Sequence, residues 1–235
     1  MRRRMATLLL IRHGQASYGE ADYDRLSTRG QAQARELGKF LVGERIDLLF
    51  AGPLRRQRDT AALAREVATN LPAPTTLAEL AEYPAFELIQ HSMPKLVAED
   101  PKFAALTQTP TKELANDAFH TILNKWARDE WEVTGVERVT DFAARVQRGL
   151  DQIVRGAERG ARIAVVTSAG PIGVAVGLTF GATPHHMVRT STVIRNASIT
   201  ELVFRTRDFA WHPERVSLVG FNSTHHLPAE LHTEY

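Results

Sequence analysis

The chain has 235 residues, 43% hydrophobic and 24% charged, with a formal net charge of +2. This is the balance of a globular protein with a real core and excludes a disordered chain, while the Arg2-Arg3-Arg4 run is a short tail rather than a nucleic-acid footprint. The absence of cysteine excludes disulfides, thiolate catalysis and thiolate metal sites.

Thr7 to Ile11 is a continuous apolar run, the pattern of a strand buried on both faces, and it ends abruptly at Arg12-His13-Gly14. The apolar part, Leu8 to Ile11, is too short for a signal h-region or a membrane span, so a cytoplasmic location with no membrane partner is expected. Leu26-Ser27-Thr28-Arg29-Gly30 follows, with Ser27 as N-cap of a helix that carries Ala34, Leu37, Phe40 and Leu41 on one face and closes at Gly43. Ile46 to Phe50 reads as a second buried strand, and Ala51-Gly52-Pro53 turns the chain into a helix through Ala61, Leu63, Ala64 and Val67. Leu71-Pro72-Ala73-Pro74 breaks that helix ahead of a brief extended piece at Thr75 to Leu77.

From Tyr83 to Gly135 the signals are helical, with proline breaks at Pro84, Pro94, Pro101 and Pro110 and with Leu114, Ala118, Ile122 and Trp126 at helical spacing. This stretch, 83–135, is expected to be a helical insertion over the core of a single domain spanning 1–235, with Trp126 and Trp131 as packing residues. The core resumes with a helix carrying Phe142, Val146, Leu150 and Ile153, the strand Arg162 to Thr167, and Ser168-Ala169-Gly170-Pro171 opening another helix. Two late extended runs, Ser198 to Phe204 and Val216 to Phe221, complete the sheet. Strand, turn and helix in repetition predict an α/β fold whose chemistry sits at the C-terminal ends of the strands.

A histidine just after a buried strand and just before a glycine has a partly fixed ring, and the glycine lets a ligand approach the backbone. Such a histidine can attack phosphorus if its ring is neutral and its other nitrogen is held by an acceptor, so His13 is expected to hydrogen-bond a nearby carbonyl. Arg12 beside it would clamp phosphate oxygens.

Three motifs in this order and spacing are a far stronger signal than Arg-His-Gly alone. They are Arg12-His13-Gly14 after the first strand, Leu26-Ser27-Thr28-Arg29-Gly30 entering the first helix, and Gly52-Pro53-Leu54-Arg55-Arg56-Gln57-Arg58-Asp59-Thr60-Ala61 after the second strand. Over about residues 5–82 and 137–225 the sequence resembles the histidine phosphatase superfamily, which includes the cofactor-dependent phosphoglycerate mutases. The resemblance implies a three-layer α/β/α sandwich with a mainly parallel sheet, the insertion serving as a lid. It implies His13 as nucleophile and Arg12 and Arg56 as phosphate ligands, with Arg55 on a variable position. A carboxylic acid that protonates the leaving oxygen is implied in a Leu-x-Glu segment. Leu77-Ala78-Glu79 and Leu80-Ala81-Glu82 both fit, and Glu82 is favoured because Tyr83-Pro84 after it enters the insertion.

The family reads Ser-His-Gly-Gly where this chain reads Thr167-Ser168-Ala169-Gly170, so Ser168 stands in the place of a second histidine. As a phosphate ligand Ser168 offers only a neutral donor, and loss of a charged one costs on the order of 10²-fold in rate. The backbone N–H groups at the following helix N-terminus would compensate in part. Adjacent histidines such as His185-His186 and His225-His226 point apart and have no carboxylate cluster beside them, so no metal is expected, and no cofactor.

The expectation is a phosphatase that hydrolyses a small phosphomonoester through phosphohistidine on His13. A mutase-type transfer is the alternative, opposed by Gln15 where mutases carry glutamate after Arg-His-Gly. A catalytically weak phospho-ligand binding domain is the other. The sequence leaves homodimer formation open.

Overall fold

The computed structural model describes residues 5–17, 19–20 and 22–233, so the Arg2-Arg3-Arg4 tail lies outside the described residues. The chain divides into two compact units, Met1–Glu82 with Arg145–Tyr235, and Tyr83–Ala144.

The first unit is built on a six-stranded sheet. Its elements in chain order are β1 (Ala6–Arg12), α1 (Thr28–Val42), β2 (Leu48–Ala51), α2 (Arg55–Val67) and β3 (Thr75–Thr76). After the second unit come β4 (Arg162–Thr167), α6 (Ala169–Phe180), α7 (Pro184–Ser191), β5 (Ile199–Phe204) and β6 (Val216–Ser223). The strand order is β3-β2-β4-β1-β5-β6. The first four strands run parallel, and β5 and β6 are antiparallel additions at one edge. This is the three-layer α/β/α sandwich with a mainly parallel sheet that the sequence leads one to expect.

The central strands β1 and β4 alternate their side chains between two helix layers. Leu9 and Ile11 of β1, Leu49 and Ala51 of β2, and Ala164 and Val166 of β4 pack with Leu37 and Leu41 of α1 and with Ala61 and Ala64 of α2. Leu8 and Leu10, the residues between, point to the other face and are equally buried. Each such leucine or isoleucine contributes about 1.5–3 kcal/mol through burial. The continuous apolar run that marks β1 in the sequence thus reflects a strand with no solvent face.

Ser27 caps α1 as expected, its hydroxyl accepting from the Gly30 N–H at 3.0 Å. The second βα unit differs, because Leu54 at the N-cap of α2 has no side chain able to accept a hydrogen bond from the first turn. α6 is apolar on nearly every face, and almost all of its residues are buried between its neighbours. α7 has no counterpart in the sequence reading, where His185 and His186 are weighed as metal ligands or as a spatial substitute for the missing second histidine.

The second unit contains α3 (Ala85–Glu99) and α4 (Lys112–Ala127), and α5 (Val139–Arg155) begins in it and ends in the first unit. Pro84, Pro101 and Pro110 bound its helical segments, but Pro94 does not break the chain: α3 runs through it. Proline removes the bond to the carbonyl four residues earlier, here that of Gln90, and both Pro94 and Gln90 are exposed, so the orphaned carbonyl is open to hydration. Trp126 is a packing residue, buried against Tyr83 and Phe142 with its indole N–H donating to the Glu137 carbonyl at 2.9 Å. Trp131 is buried too, its N–H on the Glu99 carboxylate. Among the described residues no helix is long and apolar enough to cross a membrane.

Candidate active site

β1 and β4 lie side by side in parallel, with Arg12 opposite Thr167, and the first residue past β1 is His13. The His13 N–H extends the ladder by one step to the Thr167 carbonyl at 2.8 Å, and the His13 carbonyl accepts from the Ala197 N–H at 3.1 Å. The backbone of the histidine is therefore pinned on both sides at the C-terminal edge of the sheet.

Two of the motifs meet here. A Cβ on Gly14 would lie 2.4 Å from the Gly30 carbonyl oxygen, and one on Gly30 would lie 2.1 Å from the Gln15 carbonyl oxygen. Neither glycine tolerates a side chain, because Gly14 faces the backbone of Gly30 and Gly30 faces that of Gln15. The Gly14 N–H donates to Thr60 Oγ1 at 3.0 Å, which brings the third motif onto the same turn. The Gln15 N–H donates to the buried Gln33 amide oxygen at 2.8 Å.

The His13 ring is buried, with 4% of its surface exposed. Nδ1 lies 2.7 Å from the Gly14 carbonyl, and Arg56 Nε lies 3.0 Å from Nε2. A carbonyl only accepts and a guanidinium only donates, so Nδ1 carries the proton and Nε2 presents its lone pair. Burial holds the ring well below its ordinary value of 6.5, the Arg56 and then the Arg12 charges lower it further, and the Gly14 carbonyl opposes them. His13 is thus neutral near pH 7, with the expected acceptor on its second nitrogen.

Arg56 lies in the first turn of α2 and is 8% exposed. Its Nη1 donates to Asp24 Oδ1 at 2.6 Å and its guanidinium sits over the Tyr23 ring at 5.5 Å. Arg12 donates through Nη1 to the Ile194 carbonyl. Arg55 faces away toward Asp22 and Asp59, which separates the two neighbouring arginines as the motif implies.

The two glutamates also separate. Glu79 packs its Cβ where a side chain on Gly149 would go, 2.6 Å away, and its carbonyl accepts from Arg145 at 2.7 Å. Glu82 instead reaches the turn after β4, where its Oε2 accepts from the Gly170 N–H at 3.0 Å. Arg145 braces the intervening Ala81 carbonyl as well, at 3.1 Å.

Ser168 follows β4 and is fully buried. Its Oγ accepts from Gln57 Nε2 at 2.8 Å, and the same amide nitrogen lies 3.2 Å from the Leu80 carbonyl. The other end of the amide accepts from the Leu54 N–H at 3.0 Å. Gln57 fits because residue 52 is glycine, a Cβ there falling 2.1 Å from the amide oxygen. Ser168 is thus sealed under an amide that joins α2 to the turn after β4 and to the segment before Glu82.

Sequence reasoning misses Asp24, Gln57 and Gln33. A signal exists for Gln33, a polar residue three positions after Gly30 on the buried face of α1. Gln57 and Thr60 lie inside a motif already singled out. Nothing local marks Asp24. His225 and His226 pack on Phe40, with ring centroids 5.4 and 5.5 Å away, and His185 and His186 lie in the first turn of α7.

No curated protein matches the sequence significantly. Similar solved structures cover nearly the whole chain. A mycobacterial glucosyl-3-phosphoglycerate phosphatase in complex with inorganic phosphate is 20% identical with a TM-score of 0.67, over 94% of this chain and 99% of that one. A putative alpha-ribazole-5'-P phosphatase from Escherichia coli is 21% identical at TM-score 0.64, over 93% of this chain and 97% of that one. A phosphoserine phosphatase mutant from Entamoeba histolytica in complex with phosphoserine is 20% identical at TM-score 0.60, over 95% and 100%. At these identities the likeness establishes the fold. The sequence itself matches the model of the histidine phosphatase superfamily, branch 1, over residues 8–113 and 101–215. With Arg12-His13-Gly14, the paired glycines and Arg56 brought onto one strand end, the chain belongs to the histidine phosphatase superfamily.

Proposed function

We propose that the chain is a phosphomonoester hydrolase that works through a phosphohistidine on His13. The observation that carries the reading is the state of that ring: buried, neutral, with Nδ1–H on the Gly14 carbonyl and the Nε2 lone pair facing Arg56 at 3.0 Å. This is the form a nitrogen nucleophile needs, set among positive charges that match a phosphoryl group.

The Nε2 lone pair forms a bond to phosphorus while the bond to the leaving oxygen breaks. Arg56 turns its Nε–H from His13 to a phosphoryl oxygen as the substrate enters, and Arg12 neutralises a second oxygen. The electron pair goes to the leaving oxygen, and a proton from the Glu82 carboxyl completes the alcohol. Water then attacks phosphorus, gives its proton to the Glu82 carboxylate, and releases phosphate and the free ring. Ser168 is fully buried with Gln57 donating to its Oγ, and its hydroxyl offers a phosphoryl oxygen only one neutral donor, so its share is smaller than that of either arginine. The substrate in this reading is a small phosphorylated molecule.

The test is turnover of an aryl phosphate together with trapping of an acid-labile phosphoenzyme. Wild type is expected to show both, and His13→Ala to lose both, with a rate loss of at least about 10³-fold. Equal rates for the two proteins would overturn the reading. Transfer of the phosphoryl group to a second hydroxyl instead of water would move it to the mutase alternative. Phosphate binding without turnover or phosphoenzyme would leave a binding domain.

A further inference from the structure

Asp24 stands in the loop between β1 and α1, 35% exposed at its side chain, and is used by none of the steps above. Both of its oxygens are engaged by the first turn of α2. Oδ2 accepts from the Arg55 backbone N–H at 2.7 Å, and Oδ1 accepts from Arg56 Nη1 at 2.6 Å. Leu54 offers no cap to α2, so this carboxylate, delivered from another segment, takes the place of the missing N-cap side chain.

The second bond has a geometric consequence for the ring beyond it. A guanidinium is planar and its donors are fixed relative to one another. With Nη1 held by Asp24 on one side, the edge formed by Nε and Nη2 is turned toward His13, and Nε reaches Nε2 at 3.0 Å. No described residue takes Nη2. The Tyr23 ring under the guanidinium plane limits its tilt. An Arg56 without Asp24 keeps its charge and loses the constraint that aims this edge.

We propose that Asp24 is a positioning residue for phosphoryl transfer: it holds Nη1 of Arg56 so that the Nε–Nη2 edge faces the Nε2 atom of His13 and donates to two phosphoryl oxygens side by side. The bidentate edge supplies orientation as well as charge, and orientation is what a displacement of the guanidinium by 1 Å would lose. The inference rests on the hydrolase reading for its catalytic consequence, but the aiming of Arg56 at His13 can be read without turnover.

Asp24→Asn separates the two roles of the carboxylate. Asn keeps an oxygen for the Arg55 N–H and so preserves the cap, but it loses the charge and the second acceptor that Arg56 requires. Three measurements on the full chain decide the matter: the thermal midpoint, the ¹⁵N resonance of His13 Nε2, and steady-state kinetics on an aryl phosphate. The expected result is a thermal midpoint close to wild type, an Nε2 resonance displaced toward that of Arg56→Ala, and a kcat reduced roughly 10-fold or more with a smaller change in KM. Asp24→Glu, which keeps the charge, is expected to recover part of both the resonance and the rate. An unmoved Nε2 resonance in Asp24→Asn would overturn the proposal, and so would a rate loss that only follows a loss of folded protein. If wild type proves inactive while the resonance moves as expected, the hydrolase reading fails and the aiming of Arg56 by Asp24 stands.

Discussion

The turns after β1 and β4 begin side by side, joined by the bond from the His13 N–H to the Thr167 carbonyl, yet they are built for different work. The first presents an arginine and a neutral imidazole, and the third motif adds a second arginine from α2. In the second, Ser168 is fully buried under Gln57, and the Gly170 N–H is taken by Glu82. The two arginines and the neutral imidazole therefore stand on the β1 and α2 side, and the β4 side holds a buried hydroxyl and the Glu82 carboxylate. Equivalent positions at the C-terminal edge of a parallel sheet confer opportunity, and the side chains packed around each turn decide whether it is used.

The comparison can be broken most directly at Arg56. Arg56→Ala removes the guanidinium that faces His13 and, in the proposed mechanism, neutralises the phosphoryl oxygens, and a loss of roughly 10²–10³-fold in kcat/KM is expected on an aryl phosphate. If Ser168→Ala lost as much, the asymmetry between the two turns would be wrong.

The neutrality of the His13 ring is tested by pH. His13 and His226 both have folded values below their ordinary one, His226 lowered to about 4 by burial first and then by His225. The unfolded chain then binds more protons than the folded one, so their contribution to stability is complete above pH 6.5, the ordinary value, and is lost as pH falls below it. For His226, which is partly exposed, the loss down to pH 4 is at most about 3 kcal/mol. Urea denaturation between pH 7.5 and pH 5 should show the decline, and His226→Gln should reduce it. In the same range the His13 ring is expected to show no NMR titration at 6.5; a normal titration there would remove the basis for a neutral nucleophile.

The smallest effect belongs to Ser168. Ser168→Ala deletes a buried acceptor of the Gln57 amide, which keeps the Leu80 carbonyl as a second partner. A stability loss of about 1 kcal/mol and a fall in kcat/KM of less than about 10-fold are expected, read by denaturation and kinetics. A larger fall would mean that the hydroxyl does reach the substrate.

Much of the fold is legible in the chain because the central strands β1 and β4 are buried on both faces. An uninterrupted run such as Leu8 to Ile11 has one reading when it is short and ends at a glycine-containing turn. The Ser27 cap is legible for a similar reason, since the bond it makes spans three residues and needs nothing from elsewhere. Pro94 is misread because proline tolerance depends on whether the freed carbonyl meets water, which only the exposure of Gln90 decides.

At the site, the sequence by itself determines which residues bring chemistry: a histidine at a strand end, arginines beside it and at the next helix start, and two candidate carboxylates. Only the tertiary structure decides how they are used. It shows that Gly14 and Gly30 belong to one backbone crossing, since Gly30 excludes a Cβ on Gly14 and Gln15 excludes one on Gly30, and that Glu82 rather than Glu79 reaches the turn after β4. It also fills the space around Ser168 with Gln57 and places Asp24 on Arg56 across 32 residues of sequence. The physical reason is range. Caps, strand runs and turns are set by neighbours within a few residues, whereas the aim of a guanidinium or the sealing of a hydroxyl depends on groups brought together by the packing of helices on the sheet.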